Sequence, residues 1–172
     1  MPLIDLLRHG ETVHGAELRW CGRTDVALSA AGWAQMWRAV EGRHWDRVVC
    51  SPLRRCSEFA HALALHLGIA CRIDERWREL DFGRWENRSL DEIEADDADA
   101  LRRFREDPSA NPPPDGESLD SLRLRVQAAR AALECAGGER VLVVTHGGPM
   151  RVLLAPHRPM AMHVAHAALL PL

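Results

Sequence analysis

At 172 residues, with 47% hydrophobic and 27% charged positions, the chain reads as one globular domain over residues 1–172, and its formal net charge of −3 leaves no footprint for nucleic acid or an anionic membrane surface. All 22 basic residues are arginine, which removes Schiff-base chemistry and a P-loop lysine from consideration. No apolar stretch approaches the roughly 20 residues of a membrane span. No secretory leader is read at the amino terminus, and five cysteines without a CxxC pair (Cys21, Cys50, Cys56, Cys71, Cys135) fit reduced thiols and a cytoplasmic location.

In chain order, Leu3 to Leu7 is a short apolar run of strand length that stops at Arg8-His9-Gly10. Thr12 to Leu28 has no clear period and reads as a loop or short helix. Ser29 is placed to cap a helix that runs to about Gly42, with Trp33, Met36, Trp37 and Val40 at helical spacing. Asp46 to Cys50 forms the second strand. Ser51-Pro52 then predicts a helix start, with Ser as N-cap and Pro in the first turn, running to a stop at Gly68. Ile69 to Asp74 is the third strand, and Glu79 to Glu86 an ordered loop. Ser89-Leu90-Asp91-Glu92 is a capping box, opening a helical region whose acidic run, Glu92 to Asp99, reads as a solvated face. Pro108 to Asp115 is a rigid connector. Helix resumes near Ser118 and ends at Gly137-Gly138. Arg140 to Val144 is the most strand-like run, delivering Thr145-His146-Gly147-Gly148 and a short helix around Arg151 to Leu154. Val164 to Leu172 adds a candidate edge strand. Alternating strands and helices predict a three-layer α/β/α sandwich with a mostly parallel central sheet.

Two of these strands end in a histidine followed by glycine, and a third ends in Cys50-Ser51-Pro52-Leu53-Arg54-Arg55. In a parallel sheet all three ends share one rim, where open α/β sheets bind ligands. Two imidazoles, at least two guanidiniums and helix N-termini then converge. That set suits a phosphoryl group, through guanidinium forks and backbone N–H groups. It suits a metal poorly, because arginines repel a dication. One histidine is then a nucleophile toward phosphorus, and the charge assists without a metal or cofactor. A nearby carboxylic acid is needed to protonate the leaving group, and the residues leave Glu79 and Asp81 open for it.

Leu7-Arg8-His9-Gly10-Glu11-Thr12 resembles the signature of the histidine phosphatase superfamily in its phosphoglycerate-mutase-like branch. Ser51-Pro52-Leu53-Arg54-Arg55-Cys56, Glu79-Leu80-Asp81-Phe82-Gly83-Arg84-Trp85-Glu86 and Thr145-His146-Gly147-Gly148 match three further segments of that branch in order. Gly22-Arg23-Thr24-Asp25, Leu28 to Gly32 and Pro114 to Ser118 follow it too. The resemblance implies a phosphoglycerate-mutase-like fold and His9 as the phosphorylated nucleophile. It implies a phosphate pocket of Arg8, Arg55 and His146 with the Gly147 N–H, Arg23 and Thr24 also contributing. Glu79 is implied as proton donor and acceptor.

The chain lacks room between Glu79 and Asp115 for the lid of the mutases, so it looks like a phosphatase for a small phosphorylated metabolite, acting as a monomer or homodimer. The α-ribazole phosphatases of cobalamin assembly are the subgroup most resembled. Trp20 and Trp85 either offer a base an apolar face or serve as packing. Broad-specificity phosphatase, phosphoglycerate mutase, phosphohistidine phosphatase and a catalytically inactive phospho-ligand binding module are the other readings. Gly15 stands where many relatives have Asn, and Asn87 where a glycine commonly follows the Trp-Glu pair.

Overall fold

The structure, a computed structural model, describes residues 3–15, 17–134, 139–157 and 162–172. Its central sheet is built from β1 (Leu3–Arg8), β3 (Arg47–Cys50), β4 (Ala70–Ile73), β6 (Arg140–Thr145) and β7 (Leu169–Pro171), in the order β4-β3-β6-β1-β7. The β1–β6, β3–β6 and β3–β4 pairs are parallel, and only β7 runs antiparallel, against β1. A separate ribbon of two-residue strands, β2 (Arg19–Trp20) and β5 (Arg88–Ser89), was not visible in the sequence.

The near-continuous apolar runs of β1, β3 and β6 follow from burial of the sheet on both faces. Ile4, Leu6, Val49, Val141 and Val143 point to one side, against Trp77, Trp85 and residues of α3 (Leu90–Glu106), α4 (Leu119–Glu134) and α5 (Gly147–Leu154). Leu7, Val48, Cys50, Leu142 and Val144 point to the other, against α1 (Ala30–Val40) and α2 (Arg54–Leu67). This is the expected three-layer sandwich. Trp33 and Trp37 pack on Phe59 from the partly buried rim of that second core.

Local signals hold at several ends. Ser29 caps α1 by accepting from Gly32 N, Gly68 closes α2 in the left-handed region, and Ser89 and Glu92 form a complete capping box on α3. Helix α5 begins at Gly147, four residues before the expected start, with His146 at its N-cap. The predicted end of α4 at Gly137-Gly138, and Cys135, lie outside the described residues.

Two expectations are corrected. Helix α2 starts at Arg54 with Leu53 as a cap that makes no side-chain bond, not at Ser51-Pro52. The Ser51 hydroxyl accepts from Leu53 N at 3.3 Å and from His146 Nε2 at 2.7 Å, so it serves a local turn and a tertiary partner at once, and the backbone turns helical only after Leu53. The acidic run on α3 is not uniformly solvated, because Asp97 leaves helical geometry (φ −147°, ψ 36°) and accepts from the Trp85 indole N–H at 3.0 Å. The buried indole needs a partner, and the kink supplies it. Asn87 sits at φ +58°, which explains why glycine suits this place in relatives.

Candidate active site

The parallel pairing brings the carboxyl ends of β1, β3 and β6 to one rim. There a cavity of about 410 Å³ is lined by Arg8, His9, Arg55, Glu79, Gly147, Arg151 and His166. Leu18, Trp20 and Phe82 line it too, with Thr12, His14, Glu17 and Arg19 interleaved on the same segment as Leu18 and Trp20.

His9 follows directly from β1 and is only 7% exposed. Its Nδ1 lies 2.8 Å from the Gly10 carbonyl, which accepts a proton and cannot donate one. The ring is therefore the Nδ1–H tautomer, and Nε2 keeps its lone pair. Burial, followed by the Arg55 and Arg8 cations, holds the His9 pKa well below the usual imidazole value, so the ring is neutral near pH 7. Gly10 is required for close approach: a Cβ there would stand 2.4 Å from the Gly32 carbonyl oxygen at the start of α1.

His146 stands edge-on to His9 with ring centroids 5.2 Å apart. It is fully buried and is not among the residues lining the cavity. Arg55 Nε can only donate, and it reaches His146 Nδ1 at 3.2 Å. The proton is thus on Nε2, which donates to Ser51 Oγ. Burial, then Arg55 and His9, lowers the His146 pKa as well.

Arg55 is 1% exposed and spends most of its fork on protein. Nη1 donates to the Thr24 carbonyl at 2.8 Å, and Nη2 to those of Cys21 and Gly22 at 2.9 Å each. The loop bearing those carbonyls is itself pinned by Glu86, whose carboxylate accepts from the backbone N–H groups of Gly22, Arg23 and Thr24 and from the Thr24 hydroxyl. Thr24 and Arg23 accordingly do not line the cavity; Arg23 turns outward to pair with Asp81 at 3.2 Å.

Arg8 is held differently. Nη1 donates to the Val164 carbonyl, while the buried Nε has no hydrogen-bond partner among the described residues. A desolvated guanidinium nitrogen left unpaired on a cavity wall is a donor available to an anionic group. Helix α5 opens at the same place through Gly147, adding the positive end of its dipole.

The Glu79 carboxylate is fixed at the mouth of α5. It accepts from Gly148 N at 3.0 Å and from its neighbour Leu80 N at 2.8 Å. A Cβ on Gly148 would stand 2.1 Å from Glu79 Oε1, so the second glycine of the Gly-Gly pair makes room for this carboxylate. Asp81 faces Arg23 and the Gly83 N–H and does not line the cavity, whereas Glu79 does, beside the amino end of α5.

Several lining residues, among them His14, Glu17, Leu18, Arg19, Arg151 and His166, were not singled out by sequence reasoning. His166 lies with its ring centroid 5.8 Å from that of His9, carried there by a segment whose backbone bonds to β1: Ala168 O accepts from Arg8 N and Ala167 N donates to His9 O. Arg151 projects from α5, one turn after Gly147, with its Nε on the Met162 carbonyl. Helical spacing from the Gly-Gly pair was the signal available for Arg151; His166 had none. Of the two tryptophans considered for a base, Trp20 lines the cavity, while Trp85 is fully buried between Trp20 and Phe104.

A family model for the histidine phosphatase superfamily (branch 1) matches residues 4–167. The chain is 36% identical over 155 residues to a bifunctional protein of Mycobacterium tuberculosis, covering 87% of this chain and 42% of that protein, so it spans under half of that relative. It is also 36% identical over 151 residues to a probable phosphoglycerate mutase GpmB of Enterobacter sp., covering 86% of this chain and 70% of the relative. Among solved structures, one of an Escherichia coli K-12 protein provisionally named an alpha-ribazole-5'-P phosphatase superposes with a TM-score of 0.87 at 25% identity, covering 98% of this chain and 88% of that one. A mycobacterial glucosyl-3-phosphoglycerate phosphatase solved with VO3 superposes with a TM-score of 0.88 at 29% identity, covering 98% and 90%. No described helix is long and apolar enough to cross a membrane.

Proposed function

From the premise that the chain belongs to branch 1 of the histidine phosphatase superfamily, we propose that it is a phosphomonoesterase working through a phosphohistidine on His9, with an α-riboside 5'-phosphate as substrate. The observation that carries the catalytic reading is the unprotonated Nε2 of a buried, neutral His9 beside the unpaired Nε of Arg8. The phosphoryl oxygens take the Arg8 fork, the remaining Arg55 N–H and the amino end of α5. His9 Nε2 attacks phosphorus in line, the bond to the ester oxygen breaks, and the departing alkoxide takes the proton of the Glu79 carboxylic acid. Glu79, now a carboxylate, accepts a proton from water as that water attacks phosphohistidine, and inorganic phosphate leaves with His9 regenerated. His146 acts as a positioning residue, holding Arg55 through Nδ1. The charges that stabilise the transition state are fixed before substrate arrives, which is where most of such a rate gain comes from.

The substrate reading rests on the apolar residues among those that line the cavity. A phosphate at Arg8 and His9 leaves the rest of the molecule facing Leu18, Trp20 and Phe82. That wall suits a flat apolar base, and the name of the Escherichia coli neighbour supports the same choice. A place in cobalamin assembly follows from that substrate.

The test is phosphate release, in EDTA, from α-ribazole 5'-phosphate, 3-phosphoglycerate and an aryl phosphate. The proposal expects turnover that survives EDTA and a kcat/KM at least tenfold higher for α-ribazole 5'-phosphate. Equal turnover of all three would remove the substrate assignment and leave a broad phosphatase. Isomerised phosphoglycerate in place of free phosphate would make the chain a mutase.

A further inference from the structure

On the α2 side of the sheet, Cys50 of β3, Cys71 of β4 and His61 of α2 each place one ligand atom within 4.8 Å of the other two. The strands set this arrangement. In the parallel register Cys50 pairs with Ile73 and Cys71 with Val48, so the two cysteines are diagonal neighbours on one face, and helix α2 crosses that face. The sulfurs are 3.9 Å apart. Two thiolates on one tetrahedral zinc, at about 2.3 Å from the metal, stand about 3.8 Å apart. The His61 Nδ1–H donates to the Ser57 carbonyl at 2.7 Å, which leaves Nε2 with its lone pair free for a ligand bond.

We propose that Cys50, Cys71 and His61 form a site for a soft divalent cation of the zinc class, with a fourth position open to solvent. Cys50 is buried, Cys71 half-buried and His61 exposed, so an ion enters from the His61 side. The alternative use of the cysteine pair, a disulfide, has no need of the imidazole beside it. Binding releases the two thiol protons to solvent, and no electrons move. The ion would tie the edge strand β4, through Cys71, to β3 and α2. Such a tie is useful where the strand is four residues long and otherwise paired on one side only. None of the three residues lines the cavity that holds His9, and the site does not depend on the proposed reaction.

Titration of the full-length, fully reduced protein with Co²⁺ tests this, because thiolate-to-cobalt charge transfer in the near ultraviolet reports sulfur ligands and ignores ions on the cavity histidines. The expected result is one equivalent bound with that band and displaced by Zn²⁺. Cys71→Ser abolishes the band, His61→Ala weakens binding by about tenfold or more, and Cys21→Ser changes nothing. Zn²⁺ also raises Tm in the wild type and not in Cys71→Ser. Cys71 and His61 sit outside the deepest core, so these variants test the site even where Cys50→Ser fails to fold. Absence of the charge-transfer band in reduced wild type, or its survival in Cys71→Ser, overturns the proposal.

Discussion

The floor and the wall of the cavity are built in different ways. The floor, with Arg8, His9, Arg55, Glu79 and Gly147, stands on β1, α2, α5 and a loop locked to α5. His9 and Arg55 are buried and Arg8 and Glu79 partly so, and their polar atoms are mostly held by backbone carbonyls and amides. The wall, with Leu18, Trp20, Phe82 and His166, comes from the β2–β5 ribbon and from loops. A sheet rim fixes positions to within the tolerance that bond-making needs, while loops vary the shape presented to the rest of a substrate. Chemistry belongs to the floor and selectivity to the wall, and each perturbation should fall on one side of that division.

The largest effect is expected from His9→Ala, which removes the nucleophile: kcat for every phosphate ester should fall by about 10⁴-fold or more with little change in Tm, read by steady-state release and thermal melting. Gly148→Ala breaks the floor through Glu79. Its methyl would stand 2.1 Å from Glu79 Oε1 and displace the carboxyl, and kcat should drop by about 10²-fold, with esters of good leaving groups suffering least. A uniform loss across leaving groups would show that Glu79 does not supply the proton. Trp20→Ala breaks the wall instead. It should raise KM for an aromatic riboside phosphate by about tenfold, the value of one aromatic contact, and leave kcat for a small phosphate ester unchanged.

The smallest effect sharpens the comparison through pH. The pKa values of His9 and His146 lie below their unfolded value, so the unfolded chain binds more protons in acid. Their contribution to stability is complete above about pH 6.5 and is lost as pH falls below it, by up to about 1.4 kcal/mol per pH unit for each ring. His9→Asn should flatten that dependence on the acid side in denaturant unfolding curves.

The same division decides what was legible in the sequence. Strand runs ending in Arg8-His9-Gly10 and Thr145-His146-Gly147-Gly148 announce the floor, because a parallel sheet collects such ends on one rim. The place of Glu79 follows from the resemblance, and the Gly-Gly pair accommodates it. The wall is different. Strands of two residues carry no period, and His166 reaches the cavity only because Ala167 and Ala168 bond to β1, a contact between segments more than 150 residues apart. Ser51 shows the same limit from the other side: its hydroxyl accepts from Leu53 N as the local signal suggests, and it also accepts from a histidine 95 residues away, which no local signal announces. Glu86 closes a segment that resembles the family's, but its role as the pin of the loop that holds Arg55 is set by backbone N–H groups more than 60 residues earlier in the chain.

The central claim is that His9 Nε2 carries the phosphoryl group. Rapid quenching during turnover of radiolabelled substrate, followed by peptide mapping under alkaline conditions, tests it most directly. The account predicts an acid-labile, base-stable label on the peptide containing His9, absent from His9→Ala. Label on any other residue, or turnover without labelled protein at any quench time, would contradict it.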